Sequence, residues 1–143
     1  MMGLVLKEED IKEYLQEKGL LNSFTKDTIV YAQIMPSAGQ FFLFGAYTQL
    51  VKGDYFAMCL DEKQIVLIQL NKLSGKINRK IEPILLPFEE IKSVHIKNGI
   101  LMYTITLFGE KGEEVPLKLS KTSIGMAWHK NHLENVLKRL QSV

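Results

Sequence analysis

The 143-residue chain carries 18 Lys plus Arg against 16 Asp plus Glu, a formal net charge of only +2. That balance argues against the basic stripe of a nucleic-acid-binding domain, and 46% hydrophobic with 24% charged residues excludes a disordered chain. One domain of this length buries enough surface to stand without a metal or disulfide framework; the lone Cys59 has no disulfide partner in the sequence, which fits a reducing compartment.

The apolar stretch Met1 to Leu6 is short and runs into Lys7-Glu8-Glu9-Asp10, unlike a secretory leader. The longest apolar-looking stretch, Phe41 to Val51, is broken by Gln49 and falls below the ~18–20 residues of a spanning helix. The expected location is cytoplasmic. Residues 7–18 predict a helix, with Ile11, Tyr14, Leu15 and Lys18 in one stripe, acids in its first turn and Gly19 after its end. From Ile29 to Met35 the chain turns β-branched and aromatic, and Pro36-Ser37-Ala38-Gly39 ends that strand. Residues 41–51 read equally as a strand or a short buried helix. Tyr55 to Leu60 and Gln64 to Leu70 form a predicted hairpin, and 71–80 a polar loop.

Ile84-Leu85-Leu86 leads through Pro87 into a strand from Ile91 to Lys97. Asn98-Gly99 is a strong type I′ turn signal, because both central residues of that turn need positive φ. Ile100 to Phe108 is the returning strand, and Glu114 to Leu119 alternates with Val115, Leu117 and Leu119 on one face. Pro116 inside that run predicts an edge position or a bulge. A final helix, capped by Thr122 or Ser123, gathers Met126, Leu133, Val136, Leu137 and Leu140 on one face.

About seven strands followed by one amphipathic helix predicts a mainly β fold, a curved sheet whose open end the helix plugs. The segment Ile84 to Lys97, with Pro87, Ile91 and Val94 spaced as P-x-x-x-I-x-x-V, is similar to the corresponding stretch of bacterial pleckstrin-homology-like (PH-like) domains. The hairpin, the strand Met102 to Phe108 and the terminal helix continue that resemblance over residues 27–141. It implies a PH-like barrel of about seven antiparallel strands capped by a C-terminal α-helix at 27–143, with residues 1–26 as an N-terminal helical extension. It implies no particular function, since the fold hosts lipid, peptide and protein binding alike.

No nucleophile elbow, P-loop or zinc-protease motif is present, so the expectation is a non-enzymatic module without cofactor or metal. His129 and His132 lie i, i+3 on a helix and His95 on a strand, without a recognised zinc spacing. Phe41, Phe42, Phe44 and Tyr47, four aromatics within seven residues, and Ile124 with Trp128, spaced i, i+4, are the interface candidates. Each set reads otherwise as core. The leading expectation is a protein-binding or scaffolding module, self-association included. The alternative is a peripheral module for lipid or an anionic membrane, whose only cationic cluster in the sequence is Lys72, Lys76, Arg79 and Lys80. A small-molecule pocket or an enzyme with an unrecognised site is the third.

Overall fold

The computed structural model describes residues 6–34, 55–71, 74–110, 114–121 and 127–142. Its elements are α1 (Glu8–Glu17), β1 (Val30–Ile34), β2 (Tyr55–Leu60), β3 (Gln64–Gln69), β4 (Ile84–Pro87), β5 (Ile91–Asn98), β6 (Met102–Gly109), β7 (Glu114–Ser120) and α2 (Ala127–Gln141), with short 3-10 turns at Thr25–Asp27 and Phe88–Glu90. The seven strands form one antiparallel sheet in the order β4-β3-β2-β1-β7-β6-β5. A mainly β fold with a C-terminal and an N-terminal helix, consistent with a PH-like architecture, is therefore what this chain forms. No described helix is long and apolar enough to cross a membrane.

Two apolar clusters hold it together. The inner one collects alternate residues of all seven strands, among them Phe56, Met58, Ile65, Ile105 and Leu117, and closes against Leu133, Val136 and Leu140 of α2. The outer one lies on the opposite face of β2 and β3, where Ala57, Cys59, Val66, Ile68 and Leu70 pack against Ile11, Tyr14 and Leu15 of α1. Two covered faces explain why β2 and β3 read as nearly unbroken apolar runs without alternation. β5 to β7 alternate because one face meets the core and the other lies open.

α1 starts where the Lys7 N–H donates to Asp10 Oδ2 at 3.2 Å. It ends in a Schellman motif: Leu20 N–H donates to Leu15 O at 2.7 Å and Gly19 N–H to Gln16 O at 3.1 Å, with Gly19 at φ 72°. Lys18, expected in the apolar stripe, instead sends its ammonium to Glu82 at 3.0 Å, 5.6 Å from the Tyr14 ring centroid.

Two expectations along the chain change. β7 is an interior strand, flanked by β1 and β6, although Pro116 suggested an edge. The described pairing of β7 with β1 covers Leu117 and Lys118, so Pro116 stands just beyond it, opposite Thr106 of β6. The β5–β6 turn is also displaced. Gly99 has no positive φ. The registers Asn98↔Tyr103 and Ile96↔Ile105 put the tip at Ile100 and Leu101, and Gly99 N–H donates to Met102 O at 3.0 Å. Gly99 is demanded by close approach instead: a Cβ there would sit 2.8 Å from Met102 O.

Candidate interaction surface

Phe41, Phe42, Phe44, Tyr47, Ile124 and Lys72 lie outside the described residues, as do the capping candidates Thr122 and Ser123. Trp128 is placed, and its placement corrects the expectation of an exposed anchor. It is 6% exposed in the outer cluster, and its indole N–H donates to Leu6 O at 3.1 Å. A Trp whose ring and polar handle are both satisfied inside the chain has nothing left to offer a partner.

Among the described cations of the 71–80 loop, Arg79 is engaged within the chain. Arg79 pairs with Glu17 at 2.6 Å and lies 3.9 Å from Glu13, its guanidinium 5.4 Å from the Tyr14 ring centroid. It fastens the loop to α1. Lys76 and Lys80 are exposed.

The histidines and the cysteine serve the fold. The imidazole of His129 is buried; its Nδ1 accepts from Tyr31 N–H at 2.8 Å, so Nε2 carries the proton it gives to Ser120 O at 2.5 Å. Burial lowers its pKa, the bond to Ser120 offsetting part of that. His132 Nε2 meets Glu8 Oε2 at 2.9 Å. Burial raises the Glu8 carboxyl, but the bonds from His132 and Lys12 outweigh it and hold it below its usual value. Burial pushes the Cys59 thiol far up, with Asp61 adding to the shift. Among the described residues no three His, Cys, Asp or Glu gather as a metal site.

What stands free is the tip of the β5–β6 hairpin. Ile100 is 92% and Leu101 76% exposed, and Phe24, at 43%, is the other exposed large hydrophobic among the described residues. The tip is braced from β7: Lys121 N–H donates to Leu101 O at 3.0 Å, its ammonium reaches Asn98 Oδ1 at 2.6 Å and lies 4.9 Å from the Tyr103 ring centroid. Two bare aliphatic side chains are thus held out on a fixed support.

Charge gathers beside them. Directly opposed residues share a sheet face, so the pairs Lys97↔Thr104, Thr104↔Lys118 and Lys118↔Gln33 form one row across four strands on the open face. With neighbouring strands ~4.8 Å apart, the backbones of the two lysines lie ~10 Å from each other. The next row holds His95, Thr106 and Pro116. Residues 91–109 and 115–133 contain no Asp or Glu. The small net charge hides this: residues 91–143 hold eight Lys or Arg and four acids. Sequence reasoning missed the surface because Ile100 and Leu101 read as strand; the carboxylate-free stretch around Asn98-Gly99 was the available signal.

Two shallow hollows were candidates for a small ligand. One, of about 370 Å³, is bordered by Glu62, Lys63, Phe88 and Glu89; the other, of about 230 Å³, by Leu6, Asp10, Ile77 and Arg79. Each mixes both charge signs along its border. Compared with known proteins, the chain matches no family model and no curated protein.

Proposed function

We propose that this chain is a non-enzymatic binding module of the PH-like type, working in the cytoplasm, that engages its partner through the tip of the β5–β6 hairpin. The observation that carries the reading is the exposure of Ile100 and Leu101 on a braced turn. Exposed aliphatics on a rigid support lose little conformational entropy on docking, which favours contact over catalysis. Two groups with shifted pKa values support the same reading. The Cys59 thiol and the His129 imidazole serve the clusters and ladders of the fold, and neither borders the two hollows described above. The single buried cysteine also suits a reducing cytoplasm.

The test is a photoreactive amino acid at position 100 in the full-length chain, irradiated in the cells that make it. The control probe sits at exposed Ser93, on β5 but away from the tip. Adducts from position 100 alone are expected, and an adduct of twice the chain mass identifies a second copy as the partner. No adduct, or the same adducts from both positions, refutes the tip as the contact element.

A further inference from the structure

We propose that the partner is an anionic lipid bilayer: Ile100 and Leu101 enter its interface while Lys97, Lys118 and Lys121 lie over the headgroup phosphates. This rests on reading the tip as the contact element and adds what it contacts. Three observations choose a bilayer over a protein. The apolar part is two side chains at the apex of a hairpin, far less than the ~800 Å² each partner covers in a stable protein interface. Behind it Lys97 and Lys118 stand in one row with Thr104, and Lys is depleted where protein interfaces are buried. No carboxylate between residues 91 and 109 opposes the approach of a negative surface.

The geometry suits the chemistry of a headgroup layer. Aliphatic side chains at an apex reach the acyl boundary ahead of the backbone, where Gly99 N–H is already bonded to Met102 O and Leu101 O to Lys121 N–H. Lysines set back from the apex lay their stems along the interface and leave their ammonium groups at phosphate level. Lys121 is held beside the tip by Asn98 and Tyr103, on the face opposite Lys97 and Lys118. Lys97 and Lys118, in one row with Thr104, spread the charge across the face behind the tip.

The experiment is flotation of the full-length protein with large vesicles of phosphatidylcholine alone or with one quarter phosphatidylglycerol, at ~50 and ~500 mM salt, where screening lengths differ severalfold. Binding to the anionic vesicles that weakens with salt is expected, with little to the neutral ones. The exposed pair can be changed without touching the core, so Ile100→Ser with Leu101→Ser should lower partitioning about 100-fold at unchanged thermal stability. Lys97→Gln, Lys118→Gln and Lys121→Gln together should remove the preference for anionic lipid. A Leu101→Cys chain carrying an environment-sensitive dye, with Cys59 buried from the reagent, should shift its emission to the blue on anionic vesicles. No binding to anionic vesicles at low salt overturns the proposal, as does binding that survives the Ile100/Leu101 double change. If position 100 instead crosslinks to one discrete protein while vesicles stay unbound, the lipid inference falls and the binding-module reading stands.

Discussion

Between Tyr31 and Ser120 a side chain carries the connection from β1 to β7. The register Gln33↔Lys118 places Tyr31 opposite Ser120, and there the His129 ring accepts from one backbone and donates to the other. On the other side of β1, Thr28 does the same work: its hydroxyl accepts from Leu60 N–H at 2.8 Å, and its proton faces Phe24 O at 2.9 Å and Leu60 O at 3.1 Å. Both spliced joints have measurable consequences. A protonated His129 cannot accept from Tyr31, and its folded pKa lies below the ordinary 6.5. The unfolded chain therefore takes the proton first as pH falls; this contribution is complete above ~6.5 and is lost progressively below it. Urea midpoints measured between pH 7.5 and 5.5 should fall with pH, and His129→Gln, which keeps a donor and an acceptor, should flatten that slope. The Glu8 contribution is lost only at lower pH, below its ordinary value of 4.5. Thr28→Val leaves the Leu60 N–H without an acceptor and should cost ~1–3 kcal/mol in denaturant titration; a neutral result would mean that the ladder closes without it.

At the scale of elements, α1 is a lid on a sheet face. Ile11, Tyr14 and Leu15 are fully or almost fully buried against β2 and β3. Ile11→Ala should therefore destabilise by ~2–5 kcal/mol, the range for emptying a well-packed site, which a shift of the thermal midpoint would measure; an unshifted midpoint would mean that α1 docks without contributing stability. Much of this level was legible in the sequence. The Ile11-Tyr14-Leu15 stripe and Gly19 placed α1, and the runs Tyr55–Leu60 and Gln64–Leu70 placed β2 and β3. The β5–β6 turn was not legible, for a definable reason. A turn centred on Asn98-Gly99 pairs Ile96 with Leu101, whereas the observed one pairs Ile96 with Ile105. The two registers differ by four residues, an even shift that keeps every side chain on its own face, so the apolar pattern cannot choose between them. That same ambiguity hid Ile100 and Leu101 inside an apparent strand, and the cationic cluster legible in the sequence was in the 71–80 loop. There the cation–carboxylate pairing of Arg79 with Glu17 joins residues 62 apart in sequence, a separation that local pattern does not register. For Trp128 the sequence left anchor and core both open, because its partner, Leu6 O, is 122 residues away.

For the whole molecule, α2 is the seam. Its Leu133, Val136 and Leu140 complete the inner cluster, while Trp128, earlier on the same helix, belongs to the outer one. Polar bonds follow the same division of labour: His132 reaches Glu8 of α1, Asn135 donates to Asp27 O at 3.0 Å, and Arg139 donates to Glu62 O in the β2–β3 turn with its guanidinium 5.1 Å from the Phe88 ring centroid. One helix thus holds both apolar layers, and β2 and β3 contribute a face to each. Losing either layer exposes a face of the strands that build the other, so the two should melt as one unit. The single Trp makes this measurable. Trp128 emission reports the outer layer, and far-ultraviolet circular dichroism is governed by the sheet and α2. The two should trace superimposable urea transitions in the native chain, and in Ile11→Ala both should move together to lower urea. Emission that changes ahead of the dichroism in that variant would mean that α1 and its layer come away from an intact inner layer, and the seam would then join only the inner cluster.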